Sequence, residues 1–227
     1  MPREHDEKMR RFQAAGLYVV ATRAQCAGRE TLEVVRAVLD RGVGLVQLRE
    51  KEADGPALIR LAAAARRLTA QAGALLIVND RLDVAQAVGA DGVHLGQDDL
   101  PIDVARARAP NMILGASTHS AAEAQAAERL GASYVNVGPL FPTQTKSVAP
   151  EACLGVDGMR AVAACVSIPF TVMGGIKKRH VADLVAAGAR TLAVVTAVTA
   201  APDPGRAAAE LLSTIRAAQA RRHDGSN

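Results

Sequence analysis

Three stretches of this chain repeat one local pattern: VGADGVHLG at 88–96, LGASYVNVG at 130–138 and AGARTLAVV at 187–195. Each has a Gly-Ala corner, two further residues, and then a β-branched run. Glycine ends a helix in the left-handed conformation, a small alanine packs behind it, and a strand begins. A corner of this kind belongs to a loop that leads from a helix into a strand.

The rest of the chain repeats the alternation. Strands are predicted at 17–21, 43–49, 74–79, 92–95, 112–116, 133–138, 168–173 and 191–195. Ala-rich helices are predicted near 29–41, 55–72, 82–88, 101–109, 120–130, 157–165, 178–187 and 203–221. In the last of these, Ala207, Leu211, Ile215 and Ala218 recur at helical spacing. Eight βα units imply an α/β fold, a single-domain (β/α)8 TIM barrel. The rival is an open doubly wound sheet, but no Gly-x-Gly-x-x-Gly follows the first strand. No linker or shift in composition divides the chain. The barrel is expected over 13–221, with flexible tails at 1–12 and 222–227.

Composition narrows the function. Hydrophobic residues make up 49% of 227 and aromatics only 2%, with no Trp, so the core must be aliphatic. Few aromatics also argue against single-stranded nucleic acid, which is held by stacking. A net charge of +4 without a dense basic run suits small anionic substrates. The charged start, MPREHDEKMRR, does not read as a signal peptide, and no apolar run approaches the roughly 20 residues needed to span a membrane. Cys26, Cys153 and Cys165 show no metal-like spacing and read as reduced thiols of a cytoplasmic protein. A homo-oligomer is left open.

A parallel barrel carries its chemistry at the C-terminal ends of its strands. After strand 2, Gln47, Arg49 and Lys51 alternate and so share a face. They read either as a phosphate grip or as a surface cluster with Glu50 and Glu52. After strands 3 and 4 come Asp80 and Asp99. Each can be a helix cap, or the two can share Mg²⁺ with substrate phosphates. Ser117, Thr118 and His119 follow strand 5. GPLFPTQTK (138–146) follows strand 6, and its Thr143, Thr145 and Lys146 offer hydroxyls and a cation to phosphate. Gly174-Gly175 follows strand 7, as a tight turn or as a close approach to an anion. Thr196 follows strand 8. The set suits one diphosphate with a metal and a second, separate phosphate. It contains no Ser/His/Asp set and no Schiff-base lysine.

In order, VQLREK, VND, HLGQDD, GAS, GPLFPTQTK, GGI and AVVTA resemble the thiamine-phosphate synthase family from about Tyr18 to Ala201. The resemblance implies coupling of 4-amino-2-methyl-5-pyrimidinylmethyl diphosphate to hydroxyethylthiazole phosphate, with loss of pyrophosphate. It implies that Gln47, Arg49, Lys51, Asn79, Ser117 and Lys146 hold the pyrimidine diphosphate, with Arg49, Lys51 and Lys146 catalytic. Asp80 and Asp99 would bind Mg²⁺. Thr143, Thr145, Gly175, Val195 and Thr196 would hold the thiazole phosphate. The chain departs from the family's usual pattern at Thr196, where serine is usual, at Met173, and in SVAPEACLG (147–155). Two alternatives remain: a related thiazole tautomerase, for which His119 would be the proton carrier, and a barrel that binds a phosphorylated ligand without turnover.

Overall fold

The computed structural model describes residues 2–143 and 152–224. Eight parallel strands close into a barrel in chain order, with β8 paired back to β1. They are β1 Leu17–Ala21, β2 Leu45–Leu48, β3 Leu75–Asn79, β4 Gly92–Leu95, β5 Ile113–Thr118, β6 Tyr134–Val137, β7 Phe170–Val172 and β8 Thr191–Val194. The helices are α1 Pro2–Ala14, α2 Thr31–Leu39, α3 Gly55–Gln71, α4 Leu82–Ala87, α5 Ile102–Arg108, α6 Ala121–Arg129, α7 Gly155–Ala163, α8 Val181–Ala186, α9 Thr196–Thr199 and α10 Pro204–Asp224. The expected barrel is present, and most strand bounds lie within two residues of those read from sequence. The corner glycines behave as the repeat implied: Gly89, Gly131 and Gly188 all have positive φ.

Strand alternation splits the core in two. Val46 and Leu48 of β2, Leu76 and Val78 of β3, and Val93 and Leu95 of β4 pack outward against the helices. Tyr18, Leu45, Leu75, Ile77, Ile113, Tyr134 and Ala193 fill the barrel itself. Parallel strands buried on both faces read as continuous apolar runs.

Residues 2–12 are helix and not a tail. Helix α1 lies across the N-terminal end of the barrel, and Met9, Phe12 and Ala15 join the inner core. His5 Nε2 lies 3.0 Å from Ser133 Oγ, and Arg11 donates to the Gly73 carbonyl at 2.8 Å. Ser133 immediately precedes β6 and Gly73 stands two residues before β3, so α1 closes the end opposite the strand C-termini. Its buried stripe is narrow, and the surrounding charges hide it in a composition scan. At the other terminus, α10 runs to Asp224, so 222–224 is helix rather than tail. Its buried face is Ala208, Leu211, Leu212, Ile215 and Ala218, which shifts the first predicted position by one residue.

The loops after β6 and β7 interlock. Leu140 N–H donates to Met173 O at 2.8 Å, and Phe141 N–H to Gly174 O at 3.1 Å. A Cβ on Gly174 would stand 2.6 Å from Pro139 Cα, and one on Gly175 would stand 2.8 Å from Phe141 O. Both glycines also have positive φ, at 100° and 62°. The pair is therefore required for the loop contact itself, whatever it does for an anion.

Candidate active site

At the C-terminal ends of β2, β3 and β4 the expected charges come together. Asp80 follows β3 with φ of 61°, a left-handed value that non-glycine residues seldom adopt. Its backbone N–H donates to His94 O at 2.8 Å, and the next N–H, of Arg81, returns to Asn79 O at 2.7 Å. This tight turn presents the Asp80 carboxylate to the neighbouring Asp99 carboxyl. Neither residue is a helix cap: Arg81 occupies that position for α4 and Pro101 for α5. Asp99 is fixed by the Gly96 N–H, which donates to its Oδ2 at 2.6 Å.

Lys51 Nζ stands 3.4 Å from Asp80 Oδ2. Burial, followed by the neighbouring Asp99, pushes the Asp80 carboxyl above its ordinary value, while Lys51 pulls it down. The surface-cluster reading of this strand end is not what forms. Glu50 instead turns to α2 and the first loop, accepting from Thr31 Oγ1 at 2.5 Å and Arg23 N–H at 2.9 Å. Among the described residues no three of His, Cys, Asp and Glu form a metal cluster. Two apposed carboxylates are nonetheless the donor set that Mg²⁺ takes when phosphates and water complete its shell.

Deeper in the barrel lies a polar layer that joins the predicted Gln47 and Ser117 through Tyr18, Tyr134 and His94, which the strand ends do not reveal. Gln47 is 2% exposed, and its Nε2 donates to Tyr18 OH at 2.6 Å. Tyr18 OH lies 3.1 Å from Tyr134 OH, which lies 3.0 Å from His94 Nδ1. His94 Nε2 lies 2.9 Å from Ser117 Oγ. On the neighbouring strands, Thr171 Oγ1 donates to Asn136 Oδ1 at 2.7 Å. A signal was present in the sequence: His94 and Asn136 are polar residues inside otherwise apolar strands, where a polar side chain must have a partner.

The remaining predicted residues divide as follows. Ser117 is within β5 rather than after it, because that strand runs to Thr118. Thr118 faces the other way, its Oγ1 donating to Asn136 O at 3.2 Å. His119 is drawn onto α6 by Glu123, whose Oε2 lies 3.1 Å from Nδ1, and Ser120 caps that helix. Arg49 directly follows β2, its N–H donating to Ala21 O at 2.9 Å, and Asn79 closes β3 in register with His94. Gly175 follows β7, Val195 stands at the start of α9, and Thr196 is its first residue, so all three occupy neighbouring strand ends. Thr143 ends the described part of its loop. Thr145, Lys146 and most of 147–155 lie outside the described residues.

Residues 17–198 match the model of a family described as thiamine monophosphate synthase. The chain belongs to the thiamine monophosphate synthase family. A thiamine-phosphate synthase of Chloroflexus aurantiacus is 47% identical over 203 residues, covering 89% of this chain and 94% of that one. One from Moorella thermoacetica is 46% identical, covering 89% and 97%. A thiamine phosphate pyrophosphorylase from Pyrococcus furiosus superposes with a TM-score of 0.84 at 36% identity, over 91% of this chain and 98% of that one. A 3-hexulose-6-phosphate synthase at 21% identity and a TM-score of 0.66 shares the fold alone. Membership of the thiamine monophosphate synthase family makes the chain an enzyme of the transferase type that acts on small phosphorylated substrates. No helix among the described residues is long and apolar enough to cross a membrane.

Proposed function

We propose that the chain joins 4-amino-2-methyl-5-pyrimidinylmethyl diphosphate to hydroxyethylthiazole phosphate, releasing pyrophosphate and forming thiamine phosphate in the cytoplasm. The observation that carries this reading is the meeting of Asp80, Asp99 and Lys51 at three adjacent strand ends. Such a mixture of charges suits a diphosphate that arrives with a divalent cation. Mg²⁺ would be held by Asp80 and Asp99, and when bound it supplies positive charge to the leaving diphosphate.

The reaction is a dissociative substitution that needs no enzyme nucleophile: the bond from the methylene carbon to the diphosphate oxygen breaks first, the pyrophosphate leaves with the electron pair, and the thiazole nitrogen then attacks the pyrimidine-stabilised cation. The protein has two tasks: to stabilise charge on the leaving group and to hold two substrates in line. Arg49 and Lys51 project from the end of β2 for the first, joined by Ser117 of β5 and, in this reading, Lys146. Gln47 and Asn79 orient the pyrimidine diphosphate. Thr143, Thr145, Gly175, Val195 and Thr196 hold the phosphate of the thiazole, and the interlocked loops after β6 and β7 set the spacing between the two phosphate sites. The tautomerase reading loses support because the relatives are thiamine-phosphate synthases, and its proton carrier, His119, is exposed and held to Glu123 of α6.

The test is product analysis by mass spectrometry after mixing the pure protein with both substrates and Mg²⁺. Thiamine phosphate and pyrophosphate are expected in equal amounts. Isomerisation of a thiazole carboxylate without coupling would replace this reading with the rival.

A further inference from the structure

The four hydrogen bonds from Gln47 to Ser117 form one continuous chain through the barrel interior, drawing on β2, β1, β6, β4 and β5 in turn. Its three middle members, Tyr18, Tyr134 and His94, are 1%, 0% and 6% exposed. Water therefore cannot easily substitute for a missing link. A tyrosine hydroxyl has one proton, and a neutral imidazole donates from one nitrogen and accepts at the other. Fixing the direction of any link thus fixes all the others.

An amide nitrogen can only donate. With Gln47 Nε2 donating to Tyr18, the Tyr18 proton passes to Tyr134 and the Tyr134 proton to His94 Nδ1. His94 is then the tautomer protonated at Nε2, and it donates to Ser117 Oγ. The Ser117 proton is left over and faces the barrel mouth. Reversing the Gln47 amide reverses every link, so that Ser117 gives its proton to His94 and offers only lone pairs. An anion beside Ser117 is bound in the first state and repelled in the second.

We propose that Tyr18, Tyr134 and His94 are positioning residues that set the polarity of this chain, so that Ser117 presents its proton to the anionic leaving group. The inference rests on the placement of the diphosphate at Ser117 in the function proposed above.

Two further features fit a chain built for direction. Gly115 lies between its neighbours in register: His94 of β4 pairs with Gly115, and Gly115 pairs with Tyr134 of β6. A Cβ there would stand 2.5 Å from His94 Nδ1 and closer still to the Tyr134 ring. The missing side chain is the gap through which those two residues meet across β5. Burial also pushes both phenols well above their ordinary values, so each keeps the single proton that the relay requires.

The experiment combines the His94 tautomer with a double-mutant cycle. Nitrogen-15 NMR of the wild-type protein should show His94 protonated at Nε2, and Tyr134→Phe should lose that preference while keeping the ring. Tyr134→Phe should lower kcat for coupling at least tenfold with KM for the thiazole phosphate unchanged. In a Ser117→Ala background the same substitution should have no further effect on kcat, because Tyr134 acts through Ser117. Tyr18→Phe, one link further back, should follow the same pattern.

A wild-type His94 protonated at Nδ1, an unchanged kcat in Tyr134→Phe, or an equal loss with and without Ser117 would each overturn the proposal. A general packing role would produce that last outcome. If the wild-type protein makes no thiamine phosphate, the functional reading fails, and the tautomer measurement still decides the direction of the chain.

Discussion

Phe12→Ala tests whether α1 is part of the barrel. Phe12 is 1% exposed, with its ring centroid 4.4 Å from that of Tyr134 and 6.1 Å from that of Tyr18. Aromatic side chains bury about 150–250 Å². At about 25 cal/mol per Å², that is roughly 4–6 kcal/mol of transfer free energy. Truncation to alanine keeps the Cβ, and a terminal helix can relax toward the gap, so the expected cost is about 3–5 kcal/mol. Each kcal/mol lowers Tm by about 2–4 °C in a domain of this size, giving a fall of about 6–20 °C. Urea denaturation of wild type, Phe12→Ala and Phe12→Leu measures it directly. The leucine variant should lose less than the alanine variant, because it refills most of the volume. A lower m-value for Phe12→Ala would indicate that α1 detaches before the barrel unfolds. If Phe12→Ala costs under about 0.5 kcal/mol, a typical surface value, the docking of α1 is wrong.

The other expectations concern the mouth and the layer beneath it. Gly115→Ala should destabilise by about 2–6 kcal/mol in the same denaturation assay, combining overpacking with a broken buried hydrogen bond; Gly55→Ala, which meets nothing within 4 Å, is the neutral control. Asp80→Asn should abolish most coupling across a Mg²⁺ titration, yet raise Tm of the metal-free protein at neutral pH. Because the folded state holds the Asp80 proton more tightly than the unfolded state, its ionised form costs stability above that raised value, and the gain in the variant should narrow as pH falls toward the ordinary Asp range. Lys51→Ala should cost about 2–4 kcal/mol of transition-state stabilisation, read mainly in kcat; a change in KM alone would remove Lys51 from the leaving group. His119→Ala should leave coupling within about tenfold, or about 1.4 kcal/mol, in a steady-state assay.

Much of this protein was legible along the chain because its signals are local. A Gly-Ala corner, a doubly buried strand and an Ala-rich helix each fit within ten or twenty residues, and their repetition implies the barrel. Once the strands are drawn, polar residues at their ends stand out, Lys51 with Gln47 and Arg49 after β2 and the pair Asp80 and Asp99 after β3 and β4. Other features depend on contacts between distant residues. The pairing of Tyr18 with Tyr134 and of Gln47 with Ser117 through His94 exists only because the sheet closes and Gly115 leaves room. The charged α1 hides two core residues, Met9 and Phe12, since burial is decided by what a helix meets and not by its average polarity. Gly174 and Gly175 read as a turn or an anion site, and are held to glycine by the backbone of a loop more than thirty residues earlier. Asp80 was visible as a carboxylate, but the left-handed turn that aims it at Asp99 comes from the backbone bond to His94 on the next strand. Local sequence sets which elements form and which groups they carry. Closure of the barrel sets which of those groups meet, because each interior contact joins residues that are neighbours across strands and not along the chain.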